Sequence, residues 1–207
     1  MSSAKDILIR DHLNPILAEA GFRRKNLVWN RLAGDFVHVI DIQQTRWKKD
    51  EVDSTFTLNV ALTERHVFEL STGHELPAVV KEVDCALRRR IGALMGLNDH
   101  WWDLRPNTAS AISLEVVECV RKYALPFFAE GSSLEALEMQ LRDEFRGGLN
   151  RALSGLYLAI TAHLLGKDAE SEHILTEVAA DFPAWAGRAN EVRARVPSRL
   201  AGSERGS

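Results

Sequence analysis

The chain has 207 residues, with 45% apolar and 27% charged side chains and a formal net charge of −3. That is ordinary globular usage, long enough for one large domain or one domain with an appendage. The mild acidic balance gives no global attraction to nucleic acid or to an anionic membrane, and no run approaches the roughly 18 uncharged apolar residues of a membrane span. The start, Met1-Ser2-Ser3-Ala4-Lys5-Asp6, turns charged at once and lacks the apolar core of a signal peptide. Two cysteines, Cys85 and Cys119, are too few for a disulfide framework. A reducing cytoplasm is therefore the expected compartment, with both thiols buried as small apolar groups.

Ser3 and Asp6 have the spacing of a capping box, and Ile9, Leu13, Ile16, Leu17 and Ala20 follow at helical period. Pro15 should kink or restart this helix, with Asn14 a possible new cap, and Gly21 should end it. Leu27 to Leu32 and Phe36 to Thr45 read as strands joined through Ala33-Gly34-Asp35, a hairpin. Thr55 to Leu62 alternates cleanly: Phe56, Leu58, Val60 and Leu62 are expected inside, and Thr55, Thr57 and Asn59 outside. The charged segment from Arg46 to Ser54 reads as a mobile turn. Between Val80 and Leu94 the apolar positions fit a strand face or a helix, and periodicity does not separate them.

From Ala109 onward the pattern is helical. The first stripe, Ile112, Val116, Val120 and Tyr123, is expected to stop before Pro126. Ser132 and Glu135 suggest a capping box for a helix carrying Leu134, Leu137, Leu141 and Phe145, broken at Gly147-Gly148. Leu149 to Leu164 and Ala169 to Ala180 form a helical hairpin around Gly166, of the tetratricopeptide kind but single. A last helix spans Ala184 to Val196, and the Gly/Ser/Arg-rich tail reads as disordered. Strands early and helices late predict an α+β fold: an N-terminal helix, a small mainly antiparallel sheet of about four strands, then an all-helical part. The expected division is residues 1–128, a helical extension 129–196, and a tail 197–207.

Several segments in this order resemble a known family. They are Gly21-Phe22-Arg23-Arg24-Lys25 with Trp29, Val37 to Gln44 with Trp47, and Phe56 to Val60. Asp84-Cys85, Arg90-Ile91-Gly92 and Trp101-Trp102-Asp103-Leu104 complete the set. Together they are similar to the domain-of-unknown-function family DUF4304 across about residues 5–128. The resemblance implies an α+β fold and favours a strand over Val83 to Gly92. It implies no activity, and a shared fold would not supply one.

The candidate chemistry lies in two places. On a strand, Arg88 and Arg90 share one face and Arg89 takes the other. Two guanidinium forks on one face can hold a phosphate or carboxylate, with Trp101 or Trp102 as a wall and Asp103 orienting an arginine or acting as a base. The plainer reading pairs an arginine with Asp103 or Asp84 and buries the tryptophans. The second place is the run from Gln43 to Lys49, where Trp47 could stack on a base of single-stranded nucleic acid. Asp50, Glu51 and Asp53 cancel its charge, so nucleic acid is the weaker expectation. His38, between Phe36 and Ile40, reads as a satisfied sheet residue. No zinc, nucleophile-elbow or phosphate-loop motif occurs, and no cofactor or metal is expected.

Two readings follow. One is a non-catalytic intracellular binding protein, bacterial in type, that senses or neutralises a protein partner through its C-terminal helices. The other is an enzyme or receptor for a small anionic ligand, built on Arg88, Arg90, Trp101 and Trp102 with Gln43 nearby. A pocket where the arginines meet favours the second, and an apolar patch on the late helices favours the first.

Overall fold

A computed structural model describes residues 3–45 and 52–196. It divides into two compact units, one built from residues up to Leu62 and from Pro77–Gly131, the other from Thr63–Leu76 and from Ser132 onward. No helix among the described residues is long and apolar enough to cross a membrane. Trp47 and most of the charged turn fall outside the described residues.

The first unit opens with α1 (Ala4–Ile7), where the Ser3–Asp6 capping box forms reciprocally. A π-helical segment, Leu8–Leu13, leads into α2 (Asn14–Glu19). Asn14 does not cap this restart; its Oδ1 accepts a hydrogen bond from Trp29 Nε1 at 3.1 Å. The same device recurs near the end of the unit. There α5 (Ala109–Cys119) passes through a π segment, Val120–Ala124, into α6 (Leu125–Gly131). The expected stop before Pro126 is therefore overturned. In both helices the residue preceding proline donates five residues back, Asn14 to Ile9 and Leu125 to Val120. The wider turn relieves the clash a proline ring makes in an α-helix, and the chain continues.

Among the described residues the sheet has six strands: β1 (Arg23–Lys25), β2 (Val28–Ala33), β3 (Phe36–Gln44), β4 (Ser54–Glu64), β5 (Leu87–Arg90) and β6 (Trp102–Leu104). The order is β1-β2-β3-β4-β5, with β6 also on β4. The β1–β2 turn places Asn26 at φ 59°, and the β2–β3 turn places Gly34 at φ 61°, conformations that favour Asn and Gly. Strand β4 is long enough to pair with β5 through Asn59–Leu62 and with β6 through Ser54–Phe56. A 3-10 turn, Glu82–Asp84, precedes β5, and a short helix, α4 (Ile91–Leu94), lies between β5 and β6 in the chain. The ambiguous 83–92 stretch is thus strand only at its centre.

One sheet face carries Trp29, Ile40, Phe56, Leu58, Val60 and Leu62, all buried, and meets the helices. Trp29 bonds α2, and the indole of Trp102 donates to Glu115 of α5 at 2.9 Å. His38 stacks on Phe128 of α6 with centroids 4.7 Å apart. His38 Nδ1 accepts from Arg31 Nε at 3.0 Å. Arginine only donates, so the imidazole proton is placed on Nε2. Burial, with the Arg31 charge beside it, lowers the His38 pKa to about 4.

In the second unit, β4 runs into α3 (Arg65–Thr72), capped by Glu64, which accepts from the Val67 amide at 2.8 Å. The open carbonyl end of α3 takes Arg188 and Arg195 on Ser71 O at 2.7 and 3.0 Å. The remaining elements are α7 (Leu134–Gly147), α8 (Arg151–Leu164), α9 (Asp168–Asp181) and α10 (Ala186–Arg195). Ser133, one residue later than expected, caps α7. From Ser154 to His163 every residue of α8 is buried. Gly155 permits this packing: a Cβ there would lie 2.5 Å from Val178 and 2.8 Å from Phe145. Leu149, where the sequence starts this helix, is instead fully exposed before α8 begins.

Candidate functional site

The second face of the sheet carries a polar cluster beside the buried Val37, Val39 and Ala61. Alternation places Asp41 and Gln43 of β3, Thr55, Thr57 and Asn59 of β4, and Arg88 and Arg90 of β5 on it together. The strand register confirms that Arg88 and Arg90 share this face, opposite Ala61 and Asn59, while Arg89 lies opposite Val60. Thr55, Thr57 and Asn59 are buried, against the expectation that they face solvent. Asn59 Nδ2 donates to Gln43 Oε1 at 3.1 Å and to Asp41 Oδ2 at 3.4 Å, and Thr55 donates to Asp103 Oδ1 at 2.5 Å. The segment before β5 also reaches β2: Asn30 makes a two-point bond to the Val80 backbone, at 2.8 and 3.0 Å. Thr55 and Asn59 find polar partners on this face and do not need solvent there, which is why the outward assignment fails for those two.

The arginines do not close on one pocket. Arg88 Nε pairs with Glu82 Oε2 at 2.5 Å, and Arg90 Nη1 with Asp99 Oδ2 at 2.6 Å. The carboxylates meeting them are thus Glu82 and Asp99, not the Asp84 or Asp103 that sequence proximity suggested. Arg90 also lies over the Trp101 ring, 5.3 Å from its centroid, and reaches Gln43 Oε1 at 3.5 Å. Asp99 Oδ2 accepts from Trp101 Nε1 at 2.8 Å. A continuous line of side-chain contacts therefore runs Asp41, Asn59, Gln43, Arg90, Asp99, Trp101.

The line is electrostatically mixed. Burial raises the Asp41 carboxyl pKa, Asn59 opposes this, and the Glu82 charge adds to it. Burial also pushes Asp99 upward, but bonds from Trp101, the His100 amide and Arg90 outweigh it, so Asp99 sits below its ordinary value. Thr57 is 0% exposed, and its hydroxyl has no hydrogen-bond partner among the described residues.

Trp102 is misplaced by the sequence reading. It is 3% exposed and stacks on Phe56 across the β4–β6 pair, on the helix-covered face. Trp101, the residue before β6, lies instead with Arg90 and Asp99, so the two tryptophans do not wall one site. Asp103 accepts from Thr55, Gln43 joins the line, and Trp47 lies outside the described residues. Sequence reasoning missed Asp41, Asn59, Glu82 and Asp99. Asp99, two residues before Trp101 in a polar turn, carried the one usable signal. Cys85 is buried, and burial with Asp84 and Glu82 nearby pushes its thiol well up, making it a poor nucleophile. Among the described residues no three His, Cys, Asp or Glu side chains gather into a metal-holding group.

A family model described as a domain of unknown function, DUF4304, matches residues 13–130. That is more than half of the chain, which belongs to this family. No curated protein and no solved structure matches it.

Proposed function

We propose that this DUF4304 member is a non-catalytic binding protein that recognises a protein partner through the polar cluster on its sheet, centred on Arg90 and Trp101. One observation carries the reading: Asp99 bonds both Arg90 and Trp101 and holds the guanidinium over the indole. Arginine and tryptophan are the residues that most often dominate binding at protein interfaces, and holding both in place lowers the ordering cost of association. Arg90 is 38% exposed at its side chain and retains guanidinium donors beyond those on Asp99 and Gln43. A partner presenting a backbone carbonyl or carboxylate fits those donors.

The late helices support a docking role less well. Among their described residues the large exposed apolar ones are Met139 on α7 and Leu149 after it, and scattered exposed apolar residues are normal. A small anionic ligand is the second reading, favoured by the partnerless buried hydroxyl of Thr57 on the same face. It must displace Glu82 or Asp99 to use an arginine fully.

The test is capture from a native lysate on the immobilised chain, beside Arg90→Ala. A protein retained by the wild type and lost in the variant supports the reading. An identical set of retained proteins on both contradicts it.

A further inference from the structure

Arg31 of β2 is a guanidinium without a counter-charge. It lies across from His38 on the helix-covered face, two residues along from Trp29 and away from the polar cluster around Arg90. Among the described residues no carboxylate pairs with it. Arg88, Arg90, Arg142 and Arg193, by contrast, each meet an aspartate or glutamate. We infer that Arg31 is a second binding site, independent of the sheet-face reading, and that it takes a carboxylate on its unused donors.

The side chain is held in place before any ligand arrives. Nε donates to His38 Nδ1 and Nη1 to Ala20 O, both at 3.0 Å. The second bond satisfies a carbonyl at the end of α2. The stem passes Gly21, where a Cβ would lie 3.5 Å from Cδ. The guanidinium carbon is 4.8 Å from the Phe22 ring centroid and 5.8 Å from that of Phe128. A donor already fixed in this way loses little freedom on binding.

Those contacts leave the charge unmatched. Nη2 has no acceptor among the described residues, and Nη1 keeps a second proton. Ring faces attract a cation but carry no counter-charge. His38 is neutral above about pH 4. Burial alone pushes the Arg31 pKa down, since no nearby acid offsets the lost hydration. Arg31 is only part-buried, so a solute can reach it.

A carboxylate fits what is left. It accepts from guanidinium donors in a geometry that an ammonium cannot reproduce. Its single negative charge balances the single positive one. A phosphate dianion would keep an unbalanced charge beside the phenylalanine rings, because no second cation acts on Arg31. The carboxylate can come from a small organic acid or from an aspartate or glutamate of a protein.

The experiment is NMR titration of the full chain at about pH 8, where His38 is neutral, at constant ionic strength. The His38 ring resonances are followed, because His38 bonds Arg31 directly. The probes are acetate, acetamide as its uncharged counterpart, inorganic phosphate, and an end-blocked peptide with one glutamate. Acetate is expected to saturate in the millimolar range, acetamide not at all, and phosphate more weakly than acetate. Arg31→Lys keeps the charge but loses the fork, and should weaken acetate about tenfold. Should that variant fail to fold, the wild-type titrations decide alone. A glutamate peptide that binds at least as tightly as acetate assigns the ligand to a protein side chain, and a weaker one assigns a small acid. Failure of acetate to saturate, equal binding of acetamide, tighter binding of phosphate, or unchanged acetate affinity in a folded Arg31→Lys would each overturn the inference. None of these results bears on the Arg90–Trp101 reading.

Discussion

Asp99 Oδ2 receives Arg90 Nη1 at 2.6 Å and Trp101 Nε1 at 2.8 Å, so one oxygen fixes the stacking of a cation on an aromatic ring. Asp99→Asn should loosen that arrangement without unfolding the chain. Both ionic partners are more than a third exposed, so solvent screens the pair, and the expected stability loss is about 1 kcal/mol or less in urea unfolding. Retention of the partner should fall although Arg90 and Trp101 are both still present.

The two neighbouring tryptophans should behave oppositely. Trp102→Ala removes a buried ring stacked on Phe56 and should cost about 3–5 kcal/mol, read as a lower urea midpoint. Trp101→Ala should cost about 1 kcal/mol and act mainly on binding. Equal destabilisation by both would contradict the assignment of opposite faces.

His38 predicts a specific acid sensitivity. Its folded pKa is about 4, below the ordinary 6.5, so between those values the unfolded chain binds the proton that the folded chain refuses. The contribution is fully present above about pH 6.5 and is lost as pH falls toward 4, by about 3 kcal/mol at most. Urea unfolding across this window should show a steeper loss for the wild type than for His38→Asn.

Glu138 ties α7 to the turn before α9, with Lys167 Nζ at 2.6 Å from Oε2 and Arg142 Nη2 at 2.8 Å from Oε1. Burial raises its carboxyl pKa, but bonds from Lys167 and Arg142 outweigh this and hold it below the ordinary value. Its stabilisation is therefore present above that value and lost as pH falls through the folded one. Glu138→Gln should cost about 1–2 kcal/mol near neutral pH by urea unfolding, because Lys167 is half-exposed and is rehydrated.

Much of this architecture is legible in the residues. The Ser3–Asp6 box, Gly34 and the alternation from Phe56 to Leu62 each specify local structure, and the structure follows them. The short strands β1 and β6 were not legible, because three residues such as Arg23-Arg24-Lys25 carry no period and gain strand form from the neighbour they pair with. The helix through Pro126 was missed because proline rules describe α geometry, and a π segment escapes them. At the candidate site, alternation put Arg88 and Arg90 on one face. It could not show that Glu82 and Asp99 separate them, because the folding of two turns decides those pairings. Asn59 was hidden by the assumption that polar strand residues face water.

The central claim is that recognition uses the Arg90–Trp101 face. Its most direct test is photo-crosslinking in native lysate, with a photoreactive residue placed at Trp101 in one chain and at Met139 on α7 in another. The account predicts a defined crosslinked protein from position 101, suppressed by Arg90→Ala, and none from position 139. A crosslink from position 139 alone, or one from 101 that persists undiminished in Arg90→Ala, would contradict it.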